Sequence, residues 1–187
     1  LLNRLSDQLR GTFDIHHIFE WSCHSLRDAV NCSRISVAMV YDQSTCGITY
    51  EIPVGENLPT DPLPDSPWLD QLRQSGNIFT TTDVSHESGM EKPLLSYFES
   101  RRTKSLLAVP LVSGEALLGW FWLQTEHEYH FTSPEIEMAR TISNQVAISI
   151  QNARLFAETR SLTAELEQRV EERTSELRRE HQKTETL

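Results

Sequence analysis

Neither glycine nor proline occurs after Pro134, although the chain runs on to Leu187. The two residues that most readily end a helix are therefore missing from the last third. A single helix of roughly 50 residues, about 75 Å long at 1.5 Å per residue, is expected there. Helices of globular domains average ~10–14 residues, so this one must leave the body it starts on. Cysteine is scarce as well. Cys23, Cys32 and Cys46 are an odd number without CxxC spacing, a pattern of free thiols in a reducing cytoplasm rather than of a disulfide framework. No apolar run reaches the ~18 residues of a membrane span. Basic residues are outnumbered, 17 Lys and Arg against 27 Asp and Glu for a net charge of −10, and they form no cluster. Nucleic acid is thereby excluded as an expected direct partner, and so is direct insertion into a membrane. With no internal repeat and no low-complexity tract, the length fits one domain plus a protruding helix.

The start of that helix is written in Phe131-Thr132-Ser133-Pro134-Glu135. Thr132 and Glu135 have the spacing of a capping box, and Pro134 falls in the first turn, where no N–H is needed. Ile136, Ala139, Ile142, Val146, Ile150, Ala153 and Phe156 then recur at three- and four-residue steps, a stripe that can lie on a core. From Arg160 the composition turns to Glu, Arg, Gln, Thr and Leu. A seven-residue series through Phe156, Thr163, Val170 and Leu177, joined by Thr159 and Leu166, predicts a weak coiled-coil seam. The expected partner is a second copy of the chain, the helices lying parallel.

Upstream, Leu2, Leu5 and Leu9 form a short helical lead-in over residues 1–12, broken near Gly11. Asp14 is placed to cap a helix that buries Ile15, Ile18, Phe19, Leu26 and Val30. Two alternating segments follow, 33–42 and 46–54, joined at Gln43-Ser44-Thr45 as a hairpin. Ile35, Val37, Met39 and Tyr41 share one side of the first. Ile48, Tyr50, Ile52 and Val54 face one way in the second, with Thr49, Glu51 and Pro53 opposite, and Pro53 demotes this strand to a sheet edge. A proline-punctuated connection ends where Ser66 caps and Pro67 opens a short helix closed by Gly76. A Thr-rich strand at 78–84, a polar loop, a short helix at 93–100 and two strong strands, 105–112 and 117–124, complete the body. The last strand is apolar on both faces, so it should be central and covered on both sides. The fold class is therefore α+β: a mostly antiparallel sheet of five or six strands, the first and last helices on one face, and the middle helices on the other.

From Leu5 to Phe156 the chain resembles a GAF domain. The matching stretches are Phe13-Asp14-Ile15-His16-His17-Ile18-Phe19, the strand 34–41, Lys104-Ser105-Leu106-Leu107-Ala108-Val109-Pro110-Leu111, Leu118-Gly119-Trp120-Phe121-Trp122-Leu123 and the capping-box segment. The tail from Leu166 to Leu177, with Glu171-Glu172-Arg173-Thr174 at its centre, resembles the signalling helix that follows GAF domains in bacterial sensor proteins. The resemblance divides the chain into a GAF domain at 1–156 and a signalling helix at 157–187. It implies a regulatory module of a two-component protein, a sensor histidine kinase or a response regulator, passing its state through a dimeric helical bundle to a covalently linked output domain. The fragment itself is then not an enzyme, although its parent could be a histidine kinase or a diguanylate cyclase. A small-molecule ligand would lie between the sheet and the middle helices, against Phe79, Thr81, His86, Tyr97, Phe98, Trp120 and Trp122.

The alternatives are a GAF scaffold that binds nothing and sets dimer geometry, and a GAF-fold methionine sulfoxide reductase. The reductase group carries its nucleophile just before the 105–112 strand, where this chain reads Phe98-Glu99-Ser100-Arg101-Arg102-Thr103-Lys104, without cysteine. Photoreceptor GAF domains commonly carry a Cys-His pair at the start of the preceding helix. Pro93-Leu94 stand there instead, which argues against a covalent bilin and leaves the cofactor, if there is one, unknown. No catalytic residue is assigned. No metal site is expected either, because His16 and His17 are adjacent and point to different helix faces, and the remaining histidine–carboxylate groupings lie in loops.

Overall fold

The computed structural model describes residues 15–41, 46–52 and 63–185, with 175–185 as backbone only. The lead-in at 2–9, the cap at Asp14, the hairpin turn at 43–45 and the prolines at 53, 59 and 62 lie outside the described residues. The elements are α1 (Ile15–Ala29), β1 (Arg34–Val40), β2 (Cys46–Ile52), α2 (Pro67–Ser75), β3 (Phe79–Thr81), a 3₁₀ turn (Val84–His86), α3 (Lys92–Ser100), β4 (Ser105–Ser113), β5 (Ala116–Thr125) and α4 (Ser133–Glu185). The five strands form one sheet in the order β2-β1-β5-β4-β3, every neighbouring pair antiparallel.

Two hydrophobic layers hold this sheet. Alternation on β1, β4 and β5 sends Ile35, Val37, Met39, Leu107, Val109, Phe121 and Leu123 to one face. There they meet Ile18, Phe19 and Leu26 of α1 and Ala139, Ile142, Val146 and Ile150 of α4. Ala38, Leu106, Ala108, Trp120 and Trp122 point to the other face and pack under Trp68, Leu69 and Leu72 of α2 and Leu94 and Phe98 of α3. β5 is central and apolar on both faces, as its composition predicts. β2 is an edge strand. Gly76 closes α2 in the left-handed region at φ 57°, its N–H bonding Leu72 O at 3.2 Å. Ser66 stands at the N-cap of α2 but makes no side-chain cap; its hydroxyl donates to the Glu91 carboxylate.

One alternation is broken. Val37 pairs with Tyr50 but Ala38 pairs with Ile48, so Thr49 is an extra residue on β2 and its strand bulges. Counting in twos across the bulge fails. Ile48 joins the α2–α3 layer while Tyr50 and Ile52 belong to the α1–α4 layer. Glu51 lies opposite Tyr50 and Ile52, as its spacing predicts, and is buried at 3 % exposure. Tyr41, just past the end of β1, is exposed.

The capping box opens α4. Glu135 N–H reaches Thr132 Oγ1 at 3.4 Å, and Thr132 N–H and Oγ1–H both donate to Glu135 Oε2 at 2.8 Å. The other oxygen, Oε1, accepts from Asn31 N–H at 3.1 Å and Tyr129 Oη–H at 2.9 Å, so one carboxylate ties the exit of α1 to the entry of α4. Partial burial works to raise the Glu135 pKa, but the hydrogen bonds from Thr132, Asn31 and Tyr129 outweigh it and hold the carboxyl below the ordinary glutamate range. The bonded carboxylate therefore stabilises the fold fully above the unfolded glutamate value of about 4.3, and that contribution fades as pH falls through the lower folded value. Glu135→Gln should cost about 1 kcal/mol in urea unfolding at pH 7. The gap between variant and parent should begin to narrow below the unfolded value of about 4.3 and close as pH falls through the lower folded value.

After Ala153 the stripe of α4 leaves the core formed by the described residues. Ala139 to Ala153 are buried, but Phe156 is exposed, and the helix continues unbroken to Glu185.

Candidate functional site

The α2–α3 face of the sheet carries most of the residues expected to line a pocket. Register aligns Glu51, Ser36, Trp122, Ala108 and Phe79 across all five strands, with Ile48, Ala38, Trp120 and Pro110 in the next row. Over these rows lie Tyr97 and Phe98 of α3. Their rings contact each other at 5.4 Å, and Trp122 lies 6.2 Å from Tyr97 and 5.4 Å from Phe98. Trp120 is fully buried in the same layer. Phe79 stands further along the row, edge-on to Trp68 at 4.9 Å. A groove of about 310 Å³ on the outer side touches Phe79 and Trp68 together with Leu72, Ile78 and Glu87.

Two expected lining residues are turned elsewhere. Thr81 bonds the Asp83 backbone at 3.3 Å through Oγ1. His86 points to solvent with 83 % of its side chain exposed, held by Asp83 Oδ2 at 2.7 Å. The cause is Asp83 itself, which gathers Lys104 Nζ, Ser85 N–H at 3.0 Å, Ser85 Oγ at 2.5 Å and His86. The hydrogen bonds from Lys104, then Ser85, drive the Asp83 carboxyl well below the usual range.

Sequence reasoning missed a polar layer at the edge of this face. Glu51 accepts from Ser36 Oγ at 2.8 Å and from the Arg101 guanidinium, and Arg34 Nε lies 3.5 Å from its other oxygen. Gln124 donates to Ser36 Oγ at 3.1 Å and accepts from Thr103 Oγ1 at 2.7 Å. Arg101 arrives because α3 ends in a tight turn: Thr103 N–H returns to Phe98 O at 2.9 Å and Arg102 takes φ 54°. Its guanidinium lies over the Tyr97 ring, 4.6 Å from the centroid. The available signal was Ser36 and Gln124, polar positions within otherwise apolar strands.

Above this layer, Tyr97 Oη, Trp120 Nε1 and Trp122 Nε1 are buried without a hydrogen-bond partner. Three ring donors on one face could serve an acceptor-bearing molecule laid against them. The thiols offer little chemistry. Burial raises the pKa of Cys23, Cys32 and Cys46, that of Cys32 to about 12, so all three stay protonated near neutrality. Pro93 and Leu94, at the usual position of a bilin-bearing cysteine and histidine, form the first turn of α3. Among the described residues no group of three or more His, Cys, Asp or Glu could hold a metal ion. None of their helices is long and apolar enough to cross a membrane.

On the outer stretch of α4, Phe156, Leu166 and Val170 of the expected seam are exposed. Thr163 is exposed too and turns its hydroxyl back to Thr159 O at 2.9 Å. The side chain of Leu177 lies outside the described residues.

A five-stranded antiparallel sheet between two helical layers, prolonged by its last helix, defines an α+β domain. The chain belongs to the GAF domain family, whose model matches residues 14–150. It is 25 % identical over 193 residues to the circadian input-output histidine kinase CikA of Thermosynechococcus vestitus, a match covering 95 % of this chain and 26 % of that kinase. The chain thus spans about a quarter of the length of that relative. The GAF domain of a two-component sensor histidine kinase from Bacillus halodurans superposes with a TM-score of 0.67 at 15 % identity, covering 78 % of this chain and 99 % of that one. The blue-light absorbing form of the Thermosynechococcus elongatus PixJ GAF domain gives 0.69 at 18 %, covering 79 % and 91 %.

Proposed function

We propose that this chain is the cytoplasmic sensory module of a two-component signalling protein, a histidine kinase or response regulator, and that it works as a homodimer. The observation that carries this reading is the double membership of α4. Ala139, Ile142, Val146 and Ile150 lie in the core, and the same helix continues unbroken to Glu185, exposed from Arg154 to Thr174. Any change in how the sheet packs on α4 is a change in the direction of the emerging rod. The named kinase relatives support such a use, and the unpartnered ring donors support a small-molecule ligand against Tyr97, Phe98, Trp120 and Trp122. The interlocked rings of Tyr97, Phe98 and Trp122 favour the second reading, a ligand-free scaffold that sets dimer geometry. Catalysis by this fragment has no support from its protonated thiols.

The test uses the full-length protein. One residue inserted after Arg160 rotates everything downstream by about 100°, whereas seven residues restore the phase to within about 20°. Output activity, read as phosphorylation, should change about tenfold with the single insertion, the scale of a typical coupling energy. It should return close to the parent value with seven. Equal effects of the two insertions would mean that no signal travels as helix phase.

A further inference from the structure

We infer that the rod pairs with a second copy through Ile148, Leu155 and Leu162, a seam that begins on the sensory domain itself and changes frame at Leu166. This rests on the dimeric reading above and replaces the simple series through Phe156 and Thr163. Among the large apolar side chains exposed on α4 are Ile148 at 50 %, Leu155 at 49 % and Leu162 at 54 %, spaced by sevens. Asn152 and Thr159, both exposed, fall four residues after Ile148 and Leu155, and Leu166 falls four after Leu162. The steps from Ile148 are thus four and three in alternation, the spacing of a two-helix seam.

The occupant follows from the helix itself. At about 100° per residue, Ile148, Leu155 and Leu162 point roughly 175° away from the buried line of Ala139, Ile142, Val146 and Ile150. Among the described residues the body packs on the far side of the helix and leaves these three side chains exposed. A stripe of this period is matched side by side by another helix of the same period, and an identical copy supplies it. Branched apolar residues at one seam position and Asn152 at the other suit a parallel pair, a single buried Asn fixing register.

After Leu162 the step is four to Leu166 and four again to Val170. Two consecutive fours insert an extra half-step into the heptad series, a stutter that locally unwinds the supercoil. From Ile148 to Val170 the seam makes six turns in twenty-two residues, about 3.7 per turn and close to a straight helix. Thr159 and Leu166 belong to this seam and to the uninterrupted heptad through Phe156 and Thr163. The two frames therefore differ chiefly in whether Leu155 and Leu162 or Phe156 and Thr163 face the partner.

Single cysteine variants of this chain at positions 155, 156, 162, 163, 169 and 170, all exposed, read the frame by oxidative cross-linking. The native thiols are buried or half-buried and give a low background. Leu155→Cys, Leu162→Cys and Val170→Cys should cross-link at least fivefold faster than Phe156→Cys, Thr163→Cys and Arg169→Cys. Fastest reaction at 156 and 163 in a chain that sediments as a dimer overturns the frame proposed here and leaves the dimeric reading standing. A dimer with no cross-linking at any of the six places association elsewhere and also overturns it. A chain that sediments as a monomer overturns the dimeric reading together with this one.

Discussion

Glu51→Ala should destabilise the domain by about 3–5 kcal/mol, the cost of leaving buried charge without its partner. Glu51 is 3 % exposed and Arg101 11 %, so water cannot replace what the substitution removes. Arg34 also loses its carboxylate, and Ser36 Oγ loses an acceptor. The loss should appear as a lower urea midpoint with little change in slope. Amides of α3 should exchange faster, because the Arg101 side chain and the Arg34 bond to Arg101 O at 2.7 Å fasten its end to the sheet. A double variant, Glu51→Gln with Arg101→Met, should recover part of the stability, since it removes both charges of the buried pair and keeps an oxygen acceptor for Ser36 and Arg34. A cost under about 1 kcal/mol for Glu51→Ala would show that these charges are solvated.

Gly119→Ala should also be costly, by about 1–3 kcal/mol, for steric reasons. Gly119 lies on central β5, paired with Met39 on one side and Leu111 on the other. A Cβ there would stand 2.2 Å from Ala38 O and 3.0 Å from Met39 Cα, both backbone atoms. No rotamer change relieves such a contact, so β1 or β5 must move. Gly119→Val should cost more than Gly119→Ala, and both should unfold at lower urea with the same signal change. An alanine variant as stable as the parent would show that the two strands are further apart than described.

The sequence carries most of this fold because its signals are local. Thr132, Pro134 and Glu135 mark the entry of α4, and they make the bonds their spacing implies. The doubly apolar pattern of Leu118 to Leu123 marks a central strand, and β5 is one. The failures have separate causes. Thr49 adds one residue to β2, so Ile48 parts from Tyr50 and Ile52 and joins the α2–α3 face. His86 was expected over the sheet, but Asp83, three residues earlier, holds it in solvent. The polar layer is assembled from β1, β2, β5 and the end of α3, with Glu51 and Arg101 fifty positions apart. No local pattern announces a contact of that range. On α4 the spacing predicts one series, through Phe156 and Thr163, and the exposure of Leu155 and Leu162 becomes visible only in the folded chain.

The claim on which the account stands is that α4 pairs with its twin beyond the body. Sedimentation equilibrium of this chain beside a Leu166→Asp, Val170→Asp double variant tests it most directly, because both positions lie in either frame of the seam. The parent should sediment as a dimer and the double variant as a folded monomer. A monomeric parent, or a double variant that remains dimeric, would contradict the account.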